Sequence, residues 1–173
     1  MILGWGTASA SAALSVTDAD GVRRRLDEPG RVTVVIYSNP AMQEWTRKAG
    51  ASLDVFQGRP DFRSVVLVDL RKSMADWAKG YTVRRMQKDL DMEALRIAPA
   101  YRANGNHNNP RPDVSAVADF KGEVCQAVGW DEPADKKRVV VFGKDGKVAF
   151  RSESASDFEG LVKAAGRALE ANP

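Results

Sequence analysis

Cysteine and histidine are almost missing from this sequence, which holds one of each in 173 residues. A single cysteine excludes an internal disulfide, a Cys-x-x-Cys redox pair and a cysteine-rich zinc site. A single histidine excludes a multi-histidine metal centre. No uncharged apolar run approaches the ~20 residues that a bilayer-spanning helix needs. We therefore expect no metal, no cofactor and no transmembrane segment.

A strong charge of one sign is also lacking. Twenty-six Lys and Arg stand against 23 Asp and Glu, which gives a net charge of +3. The cations come in short runs at 23–25, 84–85 and 136–138. On a strand, Arg24 would face away from Arg23 and Arg25, so this triplet is not one basic patch. We therefore do not expect nucleic acid as a partner. The 43% of hydrophobic residues suits one domain with its own core.

The first charged side chain is Asp18, so the sequence starts with an uncharged stretch. We divide the chain into an apolar leader or tail at 1–13 and a single domain at 14–173. Small residues at 7–13 resemble a signal-peptidase site, but a basic start and a long apolar run are missing. The leader is either a remnant of an export signal or a flexible tail. Leu3 and Trp5 could hold such a tail against the domain or a neighbour.

Strand and helix patterns alternate along the rest of the chain. A hairpin is predicted around the Asp-Gly turn at 18–21, and a second one around 144–146. Continuous β-branched runs predict buried strands at 32–37, 65–68 and 139–142. Helical spacing predicts helices at 41–56, from Ser73 to Pro99, at 123–129 and from Ser156 to about 169. Ser73 and Ser156 should cap their helices, and Pro99 should end or kink the second one. This order indicates an α/β sandwich with a mixed sheet.

Several strings resemble the thioredoxin-like superfamily in its peroxiredoxin and TlpA-type branch. They are LSVTDADGVRRRL with GRVTVVIYS, VADFKGEVCQAVGW, and KKRVVVFGKDGKVAFRSE. Bacterial YtfJ-type proteins, which are exported, are the most similar to the stretch 114–169. The resemblance implies a thioredoxin-like three-layer sandwich with a mixed central sheet and an N-terminal β-hairpin. It does not explain the stretch at about 73–112, which we interpret as a helical insertion. It slightly favours a periplasmic or exported location over a cytoplasmic one.

The loop after the central strand departs from this family. Catalytic members present a nucleophilic cysteine there, at a helix N-terminus that favours the thiolate. The loop 38–47 holds no cysteine. Matching Pro40 to the peroxiredoxin proline puts Arg47 at the cysteine position and Glu44 at the Thr/Ser position. Matching the thioredoxin pair instead puts Met42 and Trp45 at the two cysteines. We therefore predict no thiol chemistry at this loop and expect that the chain is not an enzyme.

Single residues elsewhere allow two interpretations each. Cys125 is a buried small residue or a reactive thiol, and we favour burial. Arg138 is a solvated charge or an anion ligand at the old site, and we favour the solvated charge. His107 lies in a polar loop without convergent ligands, so we expect no metal there. The large aromatics are expected in the core, but if exposed they would anchor an interface; they are Trp45, Trp77, Tyr81 and Trp130.

Recognition is the function that these observations favour. We predict a redox-inactive domain that acts as a protein-binding or structural subunit of a larger assembly, with another protein or a second copy as partner. The candidate contact residues lie on the loop, on the insertion and before the third strand: Asn39, Pro40, Met42, Glu44, Trp45, Trp77, Tyr81 and Arg138. One alternative is an enzyme or small-ligand binder with a pocket around Glu44 and Arg138. Another is a redox sensor that uses Cys125.

Overall fold

The computed structural model describes residues 13–72, 76–155 and 157–171. Its seven strands are β1 (Ser15–Thr17), β2 (Arg23–Arg25), β3 (Val32–Ser38), β4 (Phe62–Asp69), β5 (Ser115–Asp119), β6 (Val139–Phe142) and β7 (Val148–Ser152). Its four α-helices are α1 (Gln43–Ser52), α2 (Lys79–Ala103), α3 (Glu123–Ala127) and α4 (Phe158–Glu170). Short 3-10 turns are formed by Asp54–Phe56, Asp76–Ala78 and Arg111–Asp113.

Five strands form one mixed sheet in the order β5-β4-β3-β6-β7. Strands β3, β4 and β5 are parallel, whereas β6 runs antiparallel to both β3 and β7. Every residue of β3 is buried, because the strand has a neighbour on each side and a layer on each face. The separate hairpin β1–β2 is antiparallel around the predicted Asp-Gly turn. The predicted mixed sheet and N-terminal hairpin are confirmed.

Alternation along β3 divides the core between the two faces of the sheet. Val34 and Ile36 pack on the side of α1 and α4, whereas Val35 and Tyr37 pack beneath the hairpin and the segment after α3. Helix α2 lies on the same side of the sheet as α1 and α4, where it packs against Val66 of β4, Ala116 of β5 and Val114 just before β5. The result is the three-layer sandwich that the family resemblance implied.

Two helix predictions differ from the structure. The helix predicted at 41–56 ends at Ser52 and is followed by a 3-10 turn. Pro99 does not end the second helix but lies inside the 25-residue α2. A proline cannot donate to the carbonyl one turn earlier, here that of Leu95. Leu95 lies on the exposed face of α2, so water can solvate this carbonyl.

Several predictions fall on residues that the structure does not describe. Ser73, Ser156 and the leader residues Leu3 and Trp5 lie outside the described ranges. Helix α4 is capped by Asp157, whose Oδ1 accepts the backbone N–H of Glu159 at 2.8 Å. In the ranges 13–72, 76–155 and 157–171, no helix combines the length and apolarity that crossing a bilayer requires.

Candidate binding site

The carboxyl ends of parallel strands β3 and β4 lie at the same edge of the sheet, where side chains from separate loops can meet. A cleft of about 240 Å³ opens there, and we call it the edge cleft. Its walls come from three parts of the chain: the end of β3 with the loop before α1, the end of β4, and the loop before β6. The lining residues are Tyr37, Asn39, Pro40, Ala41, Asp69, Lys72, Pro133, Ala134 and Asp135.

Asn39 joins the two walls of the edge cleft. Its Nδ2 donates to the carbonyl of Ala134 at 3.3 Å and to Asp135 Oδ1 at 2.9 Å. Its Oδ1 accepts the backbone N–H of Ala41 at 2.9 Å. One side chain therefore orders its own loop and ties it to a loop about 95 residues further along the chain. Proline at position 40 stiffens the same wall, because its ring fixes φ.

Tyr37 forms the floor of the edge cleft. Its hydroxyl donates to Asp69 Oδ2 at 3.0 Å and accepts the backbone N–H of Ala134 at 3.2 Å. Burial raises the pKa of Tyr37, so the phenol keeps its proton at neutral pH. The floor and one wall are thus held by a buried side chain of the central strand.

Arg71 ties the end of β4 to the loop before β6. Its Nη2 donates to Asp69 Oδ2 at 2.7 Å and its Nε donates to Asp69 Oδ1 at 3.0 Å. The same guanidinium donates to the carbonyls of Trp130 and Asp131. Burial raises the pKa of Asp69, but the hydrogen bonds from Arg71 and Tyr37 outweigh burial and hold this pKa below its ordinary value. Asp69 is therefore an ionised structural group and not a proton donor at neutral pH.

Gly122 makes room for Arg71. Its φ of +80° lies in the left-handed region, and a Cβ built there would collide with the Arg71 side chain. Next to it, Asp119 Oδ1 accepts the backbone N–H of Gly122 and Oδ2 accepts that of Cys125, both at 2.8 Å. Asp119 thus orders the turn into α3.

Sequence reasoning missed this network of acidic residues. The available signal was that two apolar strands, β4 and β5, both end in aspartate, at Asp69 and Asp119. The structure pairs these two residues in register across the parallel strands. An acidic residue at the carboxyl end of each of two parallel strands points to the edge where loops assemble a site.

The predicted residues of the first loop have different positions. Asn39 and Pro40 line the edge cleft. Met42 is buried beneath the sheet, and Trp45 is half-buried between the two main parts of the core. The indole Nε1 of Trp45 donates to the carbonyl of Ala155 at 3.0 Å. Met42 and Trp45 therefore support the loop from below and do not line the cleft.

Glu44 and Arg138 are not brought together. The Glu44 side chain is 80% exposed and pairs with Lys48 at 2.8 Å, and the hydrogen bond from Lys48 lowers its pKa. Arg138 was predicted as a solvated charge, but it is only 5% exposed, so that prediction was wrong. Its guanidinium lies over the Tyr37 ring at 5.4 Å and donates to the carbonyl of Glu132 at 2.8 Å. The backbone N–H of Tyr37 on β3 donates to the carbonyl of Arg138, next to the antiparallel pairing of β3 with β6, and this contact holds Arg138 in the interior.

Trp77 and Tyr81 were predicted to lie in the core, and this prediction was wrong. Trp77 is 87% exposed and Tyr81 is 61% exposed, whereas Trp130 is buried as expected. The inner face of α2 is filled further along, by Leu90 and Ile97, so its N-terminal end projects beyond the core. Trp77 follows the cleft residue Lys72 by five positions, so their Cα atoms are at most ~18 Å apart.

Cys125 is fully buried, as predicted. Burial raises the pKa of its thiol, and the nearby charge of Asp119 raises it further. The thiol is therefore protonated and shielded, which gives no support to a redox sensor. His107 lies exposed in its loop, and no three potential metal ligands cluster within the described ranges.

No protein-family model and no curated protein matches the sequence. Solved structures with the same fold do exist. A secreted Mycobacterium tuberculosis disulfide oxidoreductase homologous to E. coli DsbE is 15% identical, with 88% of this chain and 94% of that chain covered and a TM-score of 0.53. The exposed lipoprotein thioredoxin Etrx1 of Streptococcus pneumoniae is 12% identical, with 90% and 99% covered and a TM-score of 0.56. Arabidopsis thaliana ScoI, whose structure has copper bound, is 10% identical, with 94% and 99% covered and a TM-score of 0.52.

These neighbours contradict the prediction that the chain is not an enzyme, because disulfide oxidoreductases are among the proteins that share its scaffold. The sequence itself holds one cysteine, so chemistry at the edge cleft would have to use groups other than a pair of thiols. The closer resemblance to YtfJ-type proteins stays a prediction. What the comparisons and the sheet topology establish together is that the chain has the thioredoxin-like fold.

Proposed function

We propose that this chain is a protein-binding domain that holds a short segment of a partner protein in the edge cleft, as one subunit of a larger assembly. The observation that carries the proposal is the Asn39 bridge between the two cleft walls. A site whose walls are already fixed loses little conformational freedom when it binds. Such a preformed cleft at a sheet edge suits recognition of a segment that is itself flexible.

The size of the cleft favours a segment over a small molecule. Pockets for drug-sized ligands span roughly 300–1,000 Å³, and the edge cleft has about 240 Å³. That volume accommodates one or two side chains of a chain that passes over the opening. Pro40 and Pro133 offer apolar walls, while Lys72 and Asp135 place one charge of each sign at the opening. Apolar walls with a few polar groups are typical of sites that bind and orient a peptide.

The exposed aromatic pair supports a contact that extends beyond the cleft. Trp77 and Tyr81 lie on the segment that follows the cleft residue Lys72 by five and nine positions. Tryptophan and tyrosine are enriched at protein interfaces, because each buries a large area at a small cost in side-chain entropy. A partner seated in the edge cleft can continue onto this pair.

A photo-crosslinking amino acid placed at Ala41 tests the proposal in cells that make the protein. We expect one discrete adduct, which mass spectrometry assigns to a defined segment of another protein. The same crosslinker at Lys163, on the exposed side of α4, serves as the control and should give no such adduct. Asn39→Ala should abolish the Ala41 adduct, whereas Asn108→Ala, which changes an exposed loop residue, should leave it intact.

Two results would overturn the proposal. One is the absence of any adduct at Ala41 in the cells that produce the protein. The other is an adduct that survives Asn39→Ala unchanged, because the walls of the cleft would then play no part in the contact. Circular dichroism of the purified variant separates lost binding from lost folding.

A further inference from the structure

Helix α2 carries apolar side chains on two opposite faces. Its inner face packs on the sheet through residues that include Leu90 and Ile97. Its outer face and the 3-10 turn before it hold four of the seven large hydrophobic side chains that are exposed in the described part of the chain. These four are Trp77, Tyr81, Met92 and Leu95. A helix that only covers a sheet needs one apolar face, so the outer one requires a separate explanation.

The exposed residues of the outer face lie in one line along α2. They follow one another at intervals of four, three, four and three positions, with apolar residues at the two ends of the line and two cations between them. We call this set the outer stripe, and it consists of Tyr81, Arg85, Lys88, Met92 and Leu95. The stripe extends over about 21 Å along the helix. Its straight, narrow form suits another helix laid alongside α2.

The N-terminal half of the outer face is basic. Residues 77–88 include four cations and no acidic residue. None of the ion pairs found between described residues involves Arg84, Arg85 or Lys88. Further along α2, Arg96 is neutralised because it pairs with Asp54 and Glu93. Cations that form no ion pair with a carboxylate among the described residues are complementary to an acidic partner.

We propose that the outer stripe binds an acidic amphipathic helix of a partner protein. Apolar side chains of that helix would pack on Met92, Leu95 and the Tyr81 ring, and its carboxylates would pair with Arg84, Arg85 and Lys88. The inference rests on the proposed function, since it names the chemistry of a protein that contacts this domain. It adds a second surface, about one helix long, to the edge cleft.

An anionic membrane and a second copy of the chain fit this face less well. Asp89 and Asp91 follow the cations directly, and Asp91 remains largely exposed although it pairs with Arg111. An anionic lipid surface would bring negative charge against these aspartates as well as against the cations, whereas a partner helix can place its carboxylates beside Arg84, Arg85 and Lys88 alone. In an antiparallel pair of α2 helices, Lys88 of one copy could lie opposite Met92 of the other, so that residue 90 would lie at the centre of the contact. Asp89 and Asp91 of the two copies would then lie close together, and like charges at such short distances are unfavourable.

Two synthetic peptides of about 21 residues test the inference on the full chain. Both carry leucine at the a and d positions. The flanking positions of the half that would face Arg84, Arg85 and Lys88 are glutamate in one peptide and lysine in the other, and the remaining flanking positions are uncharged in both. We expect the glutamate peptide to shift the indole N–H resonance of Trp77 and the amide resonances of 81–95 in NMR spectra. The lysine peptide should leave these resonances unchanged. Affinity for the glutamate peptide should fall as ionic strength rises.

Charge reversal provides the matched variant. The triple variant Arg84→Glu, Arg85→Glu, Lys88→Glu should bind the glutamate peptide at least about fivefold more weakly and should gain affinity for the lysine peptide. Reversal of three exposed cations elsewhere, Arg47→Glu, Lys163→Glu and Arg167→Glu, should change neither affinity. Equal binding of both peptides would overturn the inference, as would a preference of the wild type for vesicles of phosphatidylserine over the glutamate peptide. A concentration-dependent dimer that Met92→Glu abolishes would assign the stripe to a second copy and would also overturn it.

The adduct formed at Ala41 separates this inference from the proposed function. If the adduct forms and the triple reversal does not weaken it, the domain binds a partner but the outer stripe takes no part. If no adduct forms while the glutamate peptide still binds in a charge-dependent manner, the edge cleft proposal fails and the stripe stands as a binding surface.

Discussion

Tyr37 donates a 3.0 Å hydrogen bond to Asp69 across two neighbouring parallel strands. The two residues are 32 positions apart in the sequence. The same hydroxyl accepts a hydrogen bond from the loop before β6, so one phenol connects three parts of the chain. The floor of the edge cleft is therefore a product of tertiary structure, and its removal should be measurable.

Tyr37→Phe should lower the free energy of unfolding by about 1–2 kcal/mol. The variant keeps the ring, its edge-on contact with Trp130 and the core volume. It leaves Asp69 with one donor fewer and the N–H of Ala134 without its acceptor. Urea unfolding measures the change. Tyr81→Phe removes an exposed hydroxyl and should cost less than ~0.5 kcal/mol; equal losses in the two variants would contradict the assignment.

Gly122→Ala should cost more stability than Gly21→Ala. Both glycines have nearly the same positive φ, +80° and +77°, so the backbone strain of ~1–2 kcal/mol is common to both. Nothing lies within 4 Å of a Cβ at position 21, whereas at position 122 it meets Arg71. Displacing Arg71 sacrifices its bonds to Asp69, which adds about 1–3 kcal/mol. The difference in stability between the two variants, measured by thermal unfolding, is the contribution of Arg71. An equal loss of stability in the two variants would show that Arg71 moves aside without cost.

Stability should fall on acidification partly through Asp69. Its folded pKa is held below the unfolded value of about 3.9 by hydrogen bonds that outweigh burial. Because the pKa of Asp69 is lower in the folded state than in the unfolded state, ionisation of Asp69 stabilises the folded protein at pH values above the pKa of the unfolded state. This contribution is lost as the pH falls through the pKa of the folded state. We expect the free energy of unfolding to decrease below about pH 4, and to decrease less steeply in Asp69→Asn.

Urea unfolding at a series of pH values from neutrality to the lowest pH at which the protein is folded measures how steeply the free energy of unfolding decreases with pH. Glu44→Gln provides the control, because the Glu44–Lys48 pair is exposed and screened by solvent. It should have the slope of the wild type. Identical slopes in wild type and Asp69→Asn would mean that Arg71 does not favour the ionised carboxylate in the folded state.

The thiol of Cys125 should be protected in the folded protein. It is fully buried, and burial raises its pKa, so little thiolate is present to react. We expect a disulfide reagent to label it at least ~100-fold more slowly in buffer than in urea. A cysteine introduced at the exposed position Lys121, in a Cys125→Ala background, should react at the same rate in both. Fast labelling of native Cys125 would restore the sensor hypothesis.

Sequence reasoning located the central strands because their β-branched runs are continuous. A strand such as β3 is buried on both faces, so every position must be apolar or small, and this pattern is visible without any coordinates. The Asp-Gly hairpin at 18–21 and the burial of Cys125 were predicted on equally local grounds.

Residues at the ends of elements were predicted less well. Trp77 and Tyr81 have helical spacing, which is the same whether a helix end lies over the core or projects beyond it. Arg138 belongs to a basic run that looks solvated, yet pairing of its backbone with Tyr37 places it over an aromatic ring. In both cases the environment depends on what lies across from the residue in space.

The sequence by itself determined the order of strands and helices, the apolar central strands and the single cysteine, since each follows from local pattern or composition. Only the tertiary structure decided which loops meet at the sheet edge, that Asn39 reaches Ala134, and that one face of α2 stays exposed among the described residues. The physical reason is that these contacts join segments far apart in the chain, and their distances are set by strand register and packing, which no local pattern encodes.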